Sequence, residues 1–446
     1  MNKNIMRPIL IIIFALLIFS PLFVMPFVGP QLSRNFQREL SIVLGFIGLT
    51  MAGWQLAPVS RFTPAQKVFD MDRLYKIHHV LSLLAVVFVT VHYLLLVLNF
   101  SEGISFNQWA LNLLNVFSAE TPLRAKMGVA SLLAYILIGI TSALRKQLRL
   151  DYDFWRVLHD IFTVIIVAAG LTHILLVNNY SSAPAMQALL WVQTSLWILA
   201  ALYIRVFKPI QQLHQPYEIV EVRYEAQGVY SLALSPRGFP IPDFHPGQVA
   251  WLTVRESPFS LRRYPFSIAS SNKNAERVEF AIKELGDFTA TIKDLKKGET
   301  AYVDGPFGSY NITDPEVEGM VLIAGGIGIA PIMSILRSMK DDNDTRPAYL
   351  FYGMQTPQDY AFRPELEQLA AQNPNFHLVP VFERPDQGWQ GATGFITEKL
   401  MTEVLPENYR DLHYFVCGPH PMINAMELCF GNLGIEKSHT EKFEMA

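Results

Sequence analysis

The sequence predicts a multidomain membrane protein: a six-helix transmembrane bundle over residues 1–210, an antiparallel β-barrel over 216–315 and a doubly wound α/β domain over 316–446. Three observations predict it. Six apolar stretches fill the first 210 residues, each near the ~20 residues a helix needs to cross a ~30 Å hydrocarbon layer. Beyond about residue 216 short alternating strands take over, and beyond about 317 apolar strands alternate with helical segments. Charge divides at the same place. The first 210 residues hold sixteen Lys/Arg against eight Asp/Glu, a net of +8; the remainder holds twenty against thirty-one, a net of −11, and together they give −3. An apolar basic half followed by an acidic half of ordinary polarity reads as a membrane domain and a soluble one.

The expected spans are 6–28, 39–57, 76–99, 127–144, 156–177 and 185–206. Lys3 and Arg7 precede the first, as in a signal peptide, but its run exceeds the usual ~7–15 apolar residues and lacks a small-residue cleavage site, so a retained helix is expected. Arg61, Lys67, Arg73 and Lys76 precede the third span, Arg145, Lys146 and Arg149 the fifth, and Arg205 and Lys208 follow the sixth. The positive-inside rule then puts the N-terminus and the soluble half in the cytoplasm. Arg34, Arg38, Arg124 and Lys126 fall on the other side and count against it. The semi-apolar stretch FNQWALNLLNVF, between the third and fourth spans, suits an interfacial helix or a lid. Cys417 and Cys429 are the only cysteines, which excludes a disulfide framework or a cysteine metal site.

Five of the eleven histidines lie inside these apolar spans, where ionisable groups are costly and usually functional. His78 to His92 on the third span and His159 to His173 on the fifth are both steps of fourteen residues. Fourteen residues make four helical turns less ~40°, so each pair shares one face about 21 Å apart along the axis. Both spans are odd-numbered and run in the same direction, so His78 would meet His159 and His92 would meet His173. Two haems, each iron between two imidazoles, fit that pattern. His79 is thirteen residues from His92 and ~140° off the shared face, so it serves only if the helix bulges.

In the soluble half, YEIVEVRYEA, GVYSLALSP and GQVAWLTVRE read as antiparallel strands. RRYPFSIASS sets Phe266 beside Ser267 at a strand end, where a ring can stack on a flavin and a hydroxyl can bond its edge. IKELGDFTATI offers Gly286 and Thr289 at an expected helix start, suited to a pyrophosphate. LIAGGIGIAPIMSIL follows a buried strand, with Gly325, Gly326 and Gly328 letting backbone approach a diphosphate and Pro331 opening the helix. Its pattern is GGxGxxP, not the usual GxGxxG fingerprint. YFVCGPHPMI ends a late strand at Cys417 and Gly418, the edge where α/β sheets bind ligands.

The order YPFSIAS, GDFT, GPFG, GGIGIAP, YG, CGP and EKFEMA resembles the ferredoxin–NADP reductase superfamily over about 216–446. Joined to helices with paired histidines, the whole chain resembles a prokaryotic NADPH oxidase and ferric reductase family. The resemblance implies that Phe266 stacks the isoalloxazine of FAD with Ser267 near its N5, and that Gly286, Phe288 and Thr289 hold the FAD pyrophosphate. Gly325, Gly326, Gly328 and Pro331 would hold NADPH or NADH, with Cys417 and Gly418 near the hydride-transfer point and Phe443 covering the flavin. Ser267, Cys417 and Phe443 are the candidate catalytic residues. The family usually has Arg or His where this chain has Tyr264, so the FAD phosphate contact would pass to Arg262 or Arg263. NADPH users often place an Arg after LFYG; this chain has Met354 and Gln355, with Arg384 as a substitute.

The function so implied is electron transfer from cytoplasmic NAD(P)H through FAD and two b-type haems to an acceptor across a bacterial inner membrane. Oxygen, giving superoxide, is the expected acceptor, because the reductase domain is fused and no chelate-binding domain is visible. Chelated Fe(III) is the alternative, and a redox subunit feeding a partner protein is another. Expected contacts are membrane lipid and a small acceptor, with no nucleic acid; no oligomeric state is implied.

Overall fold

The computed structural model describes residues 3–28, 35–60, 69, 71–100, 118–308 and 317–442. The chain divides into two compact units, Met1–Lys208 and Pro209–Ala446.

The first unit is built from α1 (Lys3–Val28), α2 (Phe36–Trp54), α3 (Met71–Phe100), α4 (Leu123–Ala143), α5 (Tyr152–Val177) and α6 (Pro184–Leu202). Six helices among the described residues are long and apolar enough to cross a membrane. A helix satisfies its own backbone, the condition for crossing hydrocarbon, and outward-facing Ile12, Val164, Val192 and Leu199 are left exposed. This is an integral membrane protein. Side chains cap and tie the helices. Asn35 accepts the Gln37 N–H at the start of α2, and Asp151 accepts the Asp153 and Phe154 N–H groups at the start of α5. Tyr135 Oη donates to the Gly48 carbonyl at 2.8 Å, joining α4 to α2, and Thr50 Oγ1 donates to the Ile18 carbonyl at 2.7 Å, joining α2 to α1. The structure starts α3 at Met71 rather than 76, because Met71–Lys76 is helical but too charged for hydropathy to register. At its end α6 passes into a π-helical turn, Tyr203–Phe207, whose Arg205 pairs with Asp160 of α5.

The second unit begins with a six-stranded antiparallel sheet formed by β1 (Tyr217–Ala226), β2 (Val229–Pro236), β3 (Val249–Val254), β4 (Tyr264–Ser267), β5 (Val278–Lys283) and β6 (Thr300–Phe307). The order is β4-β3-β6-β1-β2-β5, and a bridge between Ile268 and Phe280 brings its two edges together. Alternation buries Ile219, Leu232, Leu234, Leu252 and Phe280 inside.

A parallel sheet follows: β7 (Met320–Gly325), β8 (Ala348–Met354), β9 (Phe376–Phe382), β10 (Ala392–Thr393), β11 (His413–Gly418) and β12 (Ser438–Lys442), in the order β10-β9-β8-β7-β11-β12. Helices α7 (Ile329–Asp341) and α8 (Arg363–Gln372) pack one face; α9 (Glu398–Val404) and α10 (His420–Leu433) pack the other. Strands covered on both faces read as unbroken apolar runs, as β7 and β11 do. Strand order reverses between β7 and β11, the switch point where such sheets bind ligands at their carboxyl ends. Ala226, Val229, Ala269 and Ala281 of the antiparallel domain enter the same core as α7.

Candidate functional site

The structure brings the four spaced histidines together as two pairs. The ring centres of His78 and His159 lie 6.2 Å apart, and those of His92 and His173 lie 6.1 Å apart. Pairs meet at the N-terminal and C-terminal halves of both helices, so α3 and α5 run parallel. The fourteen-residue step separates the two levels by about 21 Å. His79 sits on the exposed side of a regular α3, one residue round from the shared face.

The outer ring of contacts orients the second pair. His92 Nδ1 donates to the Ser41 carbonyl at 2.7 Å, and His173 Nδ1 donates to the Arg124 carbonyl at 2.7 Å. A hydrogen bond of this kind fixes the tautomer and leaves Nε2 as a metal donor. Gly45 and Gly128 lie directly behind these rings: a Cβ on Gly45 would stand 3.0 Å from His92 Nδ1, and one on Gly128 would stand 2.8 Å from His173 Nδ1. A cavity of about 380 Å³ opens beside the pair, lined mainly by apolar side chains such as Ile42, Phe46, Leu132 and Ile174. At the other level Trp155 packs edge-on against His159, and Ser82 Oγ links Gln55 to the His78 carbonyl.

These pairs fit a bis-imidazole haem. An iron–nitrogen bond of ~2.0 Å, as for other first-row metals, with roughly 1.1 Å more to each ring centre, separates two coaxial imidazoles by ~6.2 Å. The apolar cavity beside His92 and His173 suits a macrocycle.

In the second unit, β4 carries Tyr264, Phe266 and Ser267. Phe288, from the neighbouring turn, stacks on Tyr264 at 4.2 Å and lies near-parallel to Phe266 at 6.1 Å. Ser267 Oγ is buried and has no hydrogen-bond partner among the described residues. An orphaned hydroxyl beside aromatic faces fits the edge of a flavin, since buried polar groups are otherwise satisfied. Arg263 is buried with Nε donating to the Ser260 carbonyl, whereas Arg262 is exposed and pairs with Glu256. The expected helix at Gly286 is only a four-residue turn, Asp287–Ala290. Thr289 Oγ1 accepts the Leu285 and Gly286 N–H groups and donates to the Gly286 carbonyl, so those two donors are satisfied within the turn.

At the switch point, Gly325, Gly328, Cys417 and Gly418 are packed backbone to backbone. A Cβ on Gly328 would meet the Cys417 carbonyl oxygen at 2.0 Å, and one on Gly418 would meet Gly325 Cα at 3.2 Å. Gly326 has φ +53° and faces open space, which fits a backbone turn that a diphosphate can approach. The helix starts at Ile329, so Pro331 occupies its first turn rather than opening it. Cys417 is fully buried. Arg384 hydrogen-bonds Gln355 through both backbone and side chain, which sets a cation beyond the carboxyl end of β8. Phe443 lies outside the described residues, as does the 106–117 stretch; β12 ends at Lys442, paired with Gly418.

Sequence reasoning missed Gly45, Gly128 and Ser41. The signal was available for the glycines, because a glycine inside an apolar helix marks a close approach.

Membrane helices with paired histidines, joined to a parallel sheet with a glycine turn at its switch point, define a membrane-bound oxidoreductase architecture. Comparison with known families agrees. Residues 44–170 match the ferric reductase like transmembrane component and residues 322–427 match the oxidoreductase NAD-binding domain. The chain therefore joins a ferric reductase-like transmembrane domain to a reductase-type NAD-binding domain. Among curated relatives, it is 33% identical over 194 residues to NADH-cytochrome b5 reductase 1 of Neosartorya fischeri, covering 42% of this chain and 62% of that one. It is 30% identical over 223 residues to the reductase component of propane 2-monooxygenase from Mycolicibacterium smegmatis, covering 49% and 63%. The chain thus spans less than two thirds of the length of either relative. Among solved structures it is similar to the cytochrome b5 reductase domain of Ulva prolifera nitrate reductase, at 22% identity and TM-score 0.45 over 52% of this chain and 98% of that one.

Proposed function

We propose that this chain moves electrons from NAD(P)H on the cytoplasmic side of a bacterial inner membrane to an acceptor on the other side, most directly oxygen, giving superoxide. The single observation that carries this is the pair of matched histidine couples, 6.2 and 6.1 Å between ring centres on two parallel membrane helices. When bound, FAD would accept a hydride and release electrons singly, and two b-type haems would carry them through the bilayer.

The chain's own residues do the holding. His78 with His159, and His92 with His173, would clamp one iron each, with the Ser41 and Arg124 carbonyls orienting the second pair. Phe266 offers a face and Ser267 a hydroxyl to the flavin, and buried Arg263 supplies a cation near Tyr264. Gly286, Phe288 and Thr289 would hold the FAD pyrophosphate, with the Thr289 hydroxyl keeping their turn closed. The Gly325–Gly328 turn would seat the dinucleotide diphosphate, with Pro331 in the helix behind it and Gly418 opposite. Phe443 keeps its role as a flavin cover in this reading, and Cys417 lines the transfer point from beneath. Each imidazole pair would hold its group from both sides, and the group would supply single electrons to the acceptor by outer-sphere transfer. The similarity of residues 44–170 to a ferric reductase like transmembrane component supports Fe(III) as the alternative acceptor.

Membranes containing the protein test the proposal. NADH or NADPH should produce a reduced-minus-oxidised spectrum of b-type haem; no haem signal would sink it. Cytochrome c reduction that superoxide dismutase abolishes identifies oxygen as acceptor, and dismutase-insensitive reduction of an Fe(III) chelate identifies iron.

A further inference from the structure

One face of α7 grips the chain just behind the flavin-side strand. Ser334 Oγ donates to the Ser270 carbonyl at 2.7 Å, and Ser338 Oγ accepts the Asn272 N–H at 3.1 Å. Between them Arg337 Nη1 donates to the Ala269 carbonyl and to Glu279 Oε1, both at 2.8 Å. Positions 334, 337 and 338 share a helix face by their spacing of three and four. The other nitrogens of the same guanidinium, Nε and Nη2, meet Glu365 of α8 at 2.8 and 2.7 Å. A single side chain thereby ties β5, the 269–272 segment and α8 to one helix.

Where those ties fall gives them meaning. The gripped segment starts two residues after Ser267, and α7 springs directly from the Gly326–Gly328 turn. Nine residues of rigid helix, ~13.5 Å, separate Gly328 from Arg337. The two candidate cofactor sites are therefore held to the same rod. Stability alone does not require this device, because a buried ion pair rarely outperforms apolar packing, and Ala226, Val229, Ala269 and Ala281 already share an apolar core with α7. A planar guanidinium adds direction, since its forked bonds fix angles that apolar contacts leave loose.

We propose that Arg337 is a positioning residue for hydride transfer, setting the distance and angle between a nicotinamide at the Gly325–Gly328 turn and a flavin at Phe266 and Ser267. The inference rests on the assignment of those two sites to nicotinamide and FAD. The step concerned breaks the C4–H bond of the dihydronicotinamide and forms an N–H bond at flavin N5, the hydride carrying its electron pair, so one ring is oxidised by two electrons and the other reduced by two. Rates of such steps respond steeply to placement: an error of about 1 Å can cost roughly 100-fold.

The test uses the full chain in detergent, loaded with FAD, as wild type, Arg337→Lys and Arg337→Met. Flavin content, melting temperature, the apparent dissociation constant for NADH and NADPH, the limiting rate of flavin bleaching and the long-wavelength absorbance of a stacked nicotinamide–flavin pair are read together. Arg337→Met should keep its FAD and bind nucleotide within about twofold, yet bleach at least ~10-fold more slowly with a weakened stacking band; Arg337→Lys should lie between. A lowered melting temperature with unchanged bleaching and an unchanged band would overturn the proposal, leaving Arg337 a simple strut. Should Arg337→Met lose its FAD, Glu365→Gln decides instead, because it loosens the fork while sparing the Ala269 and Glu279 contacts: slower bleaching with FAD retained supports the proposal, and unchanged bleaching overturns it. A wild-type chain that takes no FAD, or is reduced by neither nucleotide, sinks the cofactor assignment and this inference together, whereas a reducible wild type with unaltered variants sinks this inference alone.

Discussion

His92 Nδ1 lies 2.7 Å from the carbonyl oxygen of Ser41, and because a carbonyl only accepts, that nitrogen carries the ring hydrogen. Nε2 is then the nitrogen left for a metal. His173 makes the equivalent bond to Arg124. Helix α4 therefore acts on the site through its backbone, and α2 through its backbone and the Ser41 hydroxyl, 3.0 Å from the same His92 nitrogen; both come close enough only because glycine lies behind each ring.

Gly128→Val should cost the haem proposed at the His92–His173 pair. A Cβ there would stand 2.8 Å from His173 Nδ1, displacing the ring from the Arg124 carbonyl. Gly45→Val presses on His92 in the same way. Each variant should carry about half the wild-type haem per FAD, since one of the two proposed sites is lost while the second unit is untouched. Gly139→Val is the control, because its nearest neighbour is Val86 at 4.0 Å. Haem-to-FAD ratios equal to wild type in Gly128→Val would remove the ring-packing argument.

His78→Leu should remove one haem and His79→Leu should remove none. The ring of His78 faces His159 at 6.2 Å while His79 is exposed on a regular helix. Haem content by pyridine haemochromogen distinguishes them, and loss of haem in His79→Leu alone would reverse the ligand assignment.

Helix faces were readable in the sequence because a rotation of ~100° per residue is a property of the backbone alone. His78, His92, His159 and His173 fell where that arithmetic put them, on an uninterrupted α3 and α5. The strands were equally plain, since β7 and β11 are buried on both faces and β1 alternates. What stayed hidden depends on side chains that meet from distant positions. Arg337 joins Glu279, 58 residues away, and Glu365, 28 residues away, and no local pattern marks that triangle. That the Thr289 hydroxyl closes a four-residue turn, where a longer helix start was expected, was equally hidden. Arg384 is the intermediate case: its charge was visible, and its approach to Gln355 needed the β8–β9 register.

Arg384→Gln should weaken NADPH more than NADH. Its guanidinium lies 3.3 Å from Gln355 Oε1 at the carboxyl end of β8, where an extra phosphate on a dinucleotide would find it. A charge-assisted hydrogen bond lost there corresponds to ~1.5–3 kcal/mol, or roughly 10- to 100-fold in apparent affinity. Steady-state KM values for both nucleotides check this; equal changes for the two would show that Arg384 does not read the phosphate.

The tie between α7 and α8 should weaken in acid. Burial tends to raise the Glu365 carboxyl pKa, but the hydrogen bonds and charge of Arg337 outweigh it and hold the group below its ordinary value. A carboxyl lowered in the folded state contributes stability that is complete above its unfolded value of about 4.3 and disappears as pH falls through the lowered folded value. The melting temperature of the wild type should therefore fall more steeply below about pH 4 than that of Glu365→Gln, whose amide does not titrate. Parallel curves for the two proteins would show that this pair contributes nothing to the acid limb.

Gly328→Ala should do more damage than Gly326→Ala, although the second residue has the stranger backbone. At Gly326 a Cβ meets open space, so the cost is the φ of +53° alone, ~1–2 kcal/mol for a residue other than glycine. Gly328 has ordinary dihedrals, but a Cβ would lie 2.0 Å from the Cys417 carbonyl oxygen and 2.5 Å from its carbon. Those are backbone atoms of the adjacent strand, so relief requires β7 and β11 to part at the carboxyl edge. Overpacking of this kind costs ~1–3 kcal/mol or more, roughly 2–4 °C of melting temperature per kcal/mol in a unit of this size. Opening that edge also deforms the turn offered to the dinucleotide, so Gly328→Ala should lose nucleotide affinity along with stability, while Gly326→Ala loses mainly stability. Thermal melts with and without NADH separate the two effects. Equal melting temperatures and equal affinities in the two variants would mean that the contact between the glycine turn and Cys417 does not set the geometry of this edge.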